Sequence, residues 1–248
     1  MNIIELVRKC AESNNLNLPH NDDGRLQSAL AENPYLMKMK EWFQLNHPGI
    51  PFEIPPQRSR YWCDFMVACV PINLKLTTGG RDNACNKRMI IHTICGTIDG
   101  VPSCMNFNDM VGHIDRLGIR KGRNPLREYH YLVVDKTTGR SMCKSILDIH
   151  TYISNPSNTL QFNWKHEFEH EDYTCESYIE KMDQLMQTIQ ESEASARNNS
   201  TLLLTWASPS HAAKTIQARW RGGRGRGRHA ARCLSGVPGT GVGLQDDS

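Results

Sequence analysis

Between residues 61 and 87 the chain reads YWCDFMVACVPINLKLTTGGRDNACNK, and three residues in it carry groups that could act together: Asp64, Asn73 and Lys75. A carboxylate and an amide can offer oxygens to a hard cation, and an ammonium can offset developing negative charge. The stretch reads as a hairpin with its turn at Ala68–Pro71. Val67 then pairs with Ile72, Met66 with Asn73, Phe65 with Leu74, and Asp64 with Lys75. Side chains alternate across a strand. Phe65, Val67, Ile72, Leu74 and Leu76 therefore share a core-facing side, and Asp64, Met66, Asn73 and Lys75 share the other. On pattern alone, an exposed polar face with an ordinary Asp–Lys pair is an equal alternative.

The residues that follow bear on that choice. Thr77-Thr78-Gly79-Gly80-Arg81-Asp82-Asn83 reads as a Gly-rich polar turn, followed by a helix over residues 84–95 that Gly96 stops. Such a loop can present backbone N–H groups and a helix N-terminus to an anion, with Arg81, Lys87 and Arg88 adding positive charge. Carboxylate, lysine and anion loop in this order point to metal-assisted chemistry on a phosphodiester.

In these residues the chain resembles type II restriction endonucleases of the PD-(D/E)XK superfamily: Asp64, then Ile72-Asn73-Leu74-Lys75, then the TTGGRDNACNK loop. The resemblance is best over residues 51–96 and looser over 33–190. It implies a Mg²⁺-dependent endonuclease acting on unmethylated double-stranded DNA, bound by a homodimer at a palindrome. It assigns Asp64, Asn73 and Lys75 to catalysis, with Asp64, Asn73 and Glu53 at the metal. DNA contacts fall to Thr77, Thr78, Gly79, Gly80, Arg81, Asn83, Asn86 and Lys87. The sequence departs from the family at two places. Cys63 replaces the proline before the first acid, and Asn73 stands where Asp or Glu is usual. An amide is a weaker ligand than a carboxylate, so a further acid is expected to help; Glu53, Asp82 and Glu41 are the candidates. An alternative of another class stays open: a non-catalytic, nuclease-like nucleic-acid-binding protein with a calmodulin-binding tail.

The 248 residues suit one domain of about 200 residues, assigned to 1–197, and a tail over 198–248. No apolar run approaches the ~20 residues of a membrane span, and MNIIELVRKC is too short and charged for a signal peptide. The nine cysteines show no CxxC spacing, which argues against a zinc ribbon, and their odd number argues against a disulfide framework. Reduced thiols in an intracellular protein, in cytoplasm or nucleus, are expected. Positive charge gathers at the end: 22 of the 29 basic residues and 24 of the 26 acidic ones precede residue 211. The body is thus not basic overall, and DNA binding would need its positive charge on one face.

The elements that must position these residues follow from periodicity. Helices are expected over 1–15, 26–31, 34–45 (with Pro34 in its first turn), and from about 108 to 117 with Asn106 or Asn108 as cap. Strands are expected over 51–56, 129–135, 140–149 and, as an edge strand, 158–164; a closing helix is expected over 173–193. Together these make an α/β (α+β) domain, a central mixed sheet flanked by helices, with a disordered or helical basic tail; the resemblance implies that the domain is restriction-endonuclease-like. The segment RLGIRKGRNPLR, with Arg116, Arg120, Lys121, Arg123 and Arg127, is the densest basic patch of the body and a candidate for phosphate contacts.

Two further motifs compete. His166-Glu167-Phe168-Glu169-His170 has the letters of HExxH, but its charged flanks read better as a loop or helix start than as a buried zinc helix. The segment at 213–226 fits the IQ pattern as written and resembles calmodulin-binding helices through Ile216, Gln217, Trp220, Arg221 and Arg226. Its repeated Arg-Gly also reads as a disordered nucleic-acid-binding tail.

Overall fold

The computed structural model describes residues 2–16, 18, 23–56, 61–83, 86–120 and 122–206. A five-stranded mixed sheet runs in the order β1 (Phe52–Glu53), β2 (Phe65–Val67), β3 (Val70–Thr77), β5 (His130–Asp135), β6 (Ser141–Ser145). Its pairs are antiparallel except the central one, where β3 and β5 run parallel from Ile72↔His130 to Thr77↔Asp135. A second sheet of three antiparallel strands has the order β4 (Arg81–Asn83), β8 (Thr159–Asn163), β7 (Ile153–Asn155).

The five-stranded sheet is buried on both faces, which explains its near-continuous apolar strands. Along β5, Leu132 and Val134 enter one core with Phe65, Val67, Ile72 and Leu74, covered by α1 (Ile3–Ser13) and α2 (Gly24–Asn46). Tyr131 and Val133 enter the other. That side is covered by α3 (Lys87–Cys95), α4 (Phe107–Leu117), α5 (Trp164–Glu169) and α6 (Tyr178–Trp206), with Leu160 and Phe162 of β8. The mixed α/β architecture with a helix-flanked mixed sheet is thus as the periodicity indicates.

Local signals set several boundaries. Gly96 caps α3 with φ 78, the left-handed conformation that ends a helix at little cost to glycine. Asn106 and Asp109 form a reciprocal capping box at the start of α4, each satisfying an otherwise orphaned N–H.

Elsewhere the structure corrects the pattern. The two helices expected over 26–45 are one, with Pro34 inside it. A proline there forfeits one backbone bond, but Ala31, Tyr35, Leu36, Met39 and Phe43 on either side are buried and hold the helix together. The segment expected as a strand to residue 149 leaves the sheet at Ser145 and closes in a 3₁₀ turn over Ile146–Asp148. Strand β8 lies in the middle of its sheet, not at an edge. The closing helix starts at Tyr178 and runs on to Trp206, later and longer than expected. The basic patch is partly spent inside the protein. Arg123 pairs with Glu128 and Asp148, and Arg120 with the fully buried Glu128.

The seven described cysteines are free thiols. No helix among the described residues is long and apolar enough to cross a membrane. Ile216, Gln217, Trp220, Arg221 and Arg226 of the IQ-like segment lie outside the described residues.

Candidate active site

The hairpin forms with a different register. Its turn is the two residues Ala68 and Cys69, both at positive φ (48 and 67), so Val67 pairs with Val70 and Phe65 with Ile72. This is the twist a two-residue hairpin favours, achieved without glycine. Pro71 is therefore not in the turn but in β3, opposite Met66, one residue before β3 begins to pair with β5. A slip of two residues leaves every side chain on its expected face, but it moves Asp64 from Lys75 to the neighbourhood of Asn73 and Leu74.

β2 stops at Phe65 while β3 continues to Thr77. Over that open edge the Asp64 N–H donates to Ile72 O at 3.0 Å, and Leu74 N–H donates to Asp64 Oδ2 at 2.7 Å. The carboxylate replaces the strand that has ended. Burial raises the proton affinity of Asp64; the Leu74 N–H and the Lys75 charge oppose that rise.

Glu32, from the middle of α2, is the residue that sequence reading missed. It lines a hollow with Asp64 and Cys63, and it also lines the adjoining cleft of ≈ 810 Å³ with Lys75, Thr78, Arg81 and Asp82. Burial pushes its carboxyl up to about 7; the Asp64 charge adds to the rise and the Lys75 charge opposes it. Two partly buried carboxylates thus share the field of one lysine. Lys75 Nζ itself lies 3.9 Å from Asp82 Oδ2, and Trp164 Nε1 donates to the same oxygen at 3.4 Å. Beside them, the buried Asn73 Oδ1 has no hydrogen-bond partner among the described residues. A signal for Glu32 does exist in the sequence. It stands four residues before Leu36 and seven before Met39, both buried, so a charge occupies the core-facing stripe of the helix. A helix broken at Pro34 hides that continuity.

The other expected ligands are less well placed. Glu53 is exposed on β1 opposite Met66, and its charge is felt at Cys63. Glu41 is exposed nine residues beyond Glu32 on α2, about 14 Å along the axis.

The loop is built differently from the expected anion cradle. Thr77 ends β3, and its Oγ1 takes the Gly79 N–H at 3.0 Å. Gly79, at φ 88, has Lys165 Cβ 3.5 Å from where a Cβ would lie. The carbonyls of Gly79 and Gly80 accept from Lys165 N and Trp164 N, at 3.0 and 3.3 Å. Arg81 and Asn83 then form β4 against β8, so a strand separates the glycines from α3. Asn86 caps α3, its side chain taking the Arg88 N–H at 2.9 Å, and Lys87 pairs with Glu193 at 3.6 Å. Thr78, Gly80 and Arg81 remain exposed on the rim of the cleft.

This is a polar cleft at an open sheet edge, with the carboxylates of Glu32 and Asp64 and the ammonium of Lys75 on its walls and the buried Asn73 oxygen behind them on β3. Comparison with protein families, with characterised proteins and with solved structures finds no match.

Proposed function

We propose that the chain is a Mg²⁺-dependent endonuclease of double-stranded DNA with a restriction-endonuclease-like fold, as its resemblance to that family implies. The observation that carries the reading is the convergence of Glu32 and Asp64 with Lys75. Two carboxylates with raised proton affinity and an orphaned amide oxygen are a donor set suited to a hard divalent cation. Glu32, Asp64 and Asn73 would hold it; Glu32 supplies the acid that Asn73 lacks. Mg²⁺ bound there would acidify a water and offset charge on the phosphorane. Lys75 orients the attacking water and stabilises negative charge on the scissile phosphate. Arg81 and Thr78, on the rim, contact the DNA backbone. A homodimer on a palindrome places two such clefts on opposite strands.

The test is cleavage of unmethylated plasmid by the full-length protein with Mg²⁺. Discrete fragments are expected, lost in Asp64→Ala and Lys75→Ala with the fold retained. The second reading, a non-catalytic DNA-binding protein, draws on Asn73 in an acid's place and on the acidic excess of the body. Failure of the native protein and of Asn73→Asp to cut any unmethylated DNA, with binding unaltered in Asp64→Ala, would establish it instead.

A further inference from the structure

His166 and His170 sit one turn apart at the end of α5, with ring centroids 4.2 Å apart. His150 arrives from the chain beyond the 3₁₀ turn after β6 and packs against both, at 4.9 and 4.3 Å. One ring nitrogen from each of the three can be chosen so that all lie within 4.8 Å of one another. A tetrahedral ion with Zn–N bonds of about 2.0–2.1 Å needs nitrogens roughly 3.4 Å apart, within reach of small ring rotations.

The surroundings prepare the rings. His170 Nδ1 lies 2.9 Å from the His166 carbonyl, which can only accept; its proton is therefore on Nδ1 and the lone pair on Nε2. His150 Nδ1 lies 3.1 Å from Thr151 Oγ1. The fully buried Glu167 holds His150 over the helix: its Oε2 accepts from His150 N at 2.8 Å and its Oε1 from Thr151 N at 3.2 Å. Two ammonium groups also hold this backbone, Lys144 donating to His170 O at 2.6 Å and Lys181 to His150 O at 3.1 Å.

We propose that His150, His166 and His170 bind one Zn²⁺ ion, with water in the fourth position, clamping α5 to the segment around residue 150. Three neutral imidazoles without a carboxylate suit zinc or a similar transition ion and not Mg²⁺. The site differs from that of an HExxH peptidase in that Glu167 is fully buried and both its oxygens accept backbone N–H groups, so that it is built into the scaffold. Its place in the fold gives it a consequence. The first residues of α5 donate to Gly79 O and Gly80 O, so the clamped helix is the one that carries the loop beside the candidate active site.

Metal-stripped full-length protein, titrated with Zn²⁺ and with Co²⁺ as the optical probe, decides it. One equivalent is expected, with the intense visible bands of tetrahedral cobalt and no displacement by excess Mg²⁺. His166→Gln should weaken uptake by at least about tenfold. The triple change His150→Gln, His166→Gln, His170→Gln should abolish it with the circular dichroism of the native fold retained. No uptake by the native chain would overturn the proposal. So would uptake with an unchanged spectrum and affinity in His166→Gln, which would place the metal on other ligands whether or not the triple variant folds.

Discussion

The side chain of Asp64 accepts the backbone N–H of Leu74 at 2.7 Å, at the point where β2 has ended and β3 has not. One hydrogen bond thereby satisfies an edge N–H that would otherwise lack a strand partner and fixes a carboxylate on the wall of a polar hollow. Placement of the acid and termination of the strand pairing are the same event. The adjoining Asn73 amide, with its oxygen unpartnered among the described residues, completes the corner.

Asn73→Asp is the informative change at that corner. It restores a charged ligand, so cleavage should persist and saturate at a lower Mg²⁺ concentration, by about tenfold if the added interaction reaches about 1.4 kcal/mol. A purely structural amide would answer with lost stability, from an uncompensated buried charge, and with no change in metal dependence. Mg²⁺ titrations of cleavage and thermal unfolding in parallel separate the two.

Glu32 should make the protein sensitive to pH near neutrality. Its folded-state carboxyl is raised from 4.5 to about 7, so between those values the folded chain binds more protons than the unfolded one. Its contribution to stability is present below pH 4.5 and is lost as pH rises to about 7. Metal-free Glu32→Gln should lose this part of the slope and unfold later than the native protein at pH 8. With Mg²⁺ limiting, native cleavage should rise with pH through the same window as the competing proton leaves, and the rise should be absent in the variant. Denaturant unfolding and initial rates at several pH values measure both.

Glu167 is a structural residue, whatever the metal does. It is fully buried and takes two backbone N–H groups from the segment that presents His150. Glu167→Ala should cost roughly 3–5 kcal/mol, since it orphans both donors and leaves Lys144 without its nearby carboxylate. Glu167→Gln, which keeps one acceptor, should cost less. Equilibrium unfolding of the two variants ranks them.

The tail is tested apart from the body. A peptide spanning residues 209–232 should bind calmodulin and gain helicity, because Ile216, Trp220 and the basic residues stand at helical spacing. Titration calorimetry with and without Ca²⁺ checks this; no heat in either condition leaves only the Arg-Gly reading.

What the sequence by itself determined about this protein is what short-range physics encodes. Alternation along a strand placed Phe65, Val67, Ile72 and Leu74 in a core and put Asp64, Asn73 and Lys75 on the opposite side. Capping chemistry within a few residues marked Gly96 as the end of one helix and Asn106 or Asn108 as the start of another, and the fold settles on Asn106. Tertiary structure alone decided the partners. A period of two cannot distinguish registers two residues apart, so only the folded hairpin shows Asp64 bonding to Leu74. Glu32 meets Asp64 and Lys75 because α2 stays whole through Pro34 and packs on their sheet. Asn86 and Lys87 are taken up by a helix cap and an ion pair, roles that depend on α3 and α6 docking and not on the loop's composition. His150 joins His166 and His170 through the Glu167 carboxylate and through direct ring packing, contacts across sixteen or more residues that no local pattern specifies.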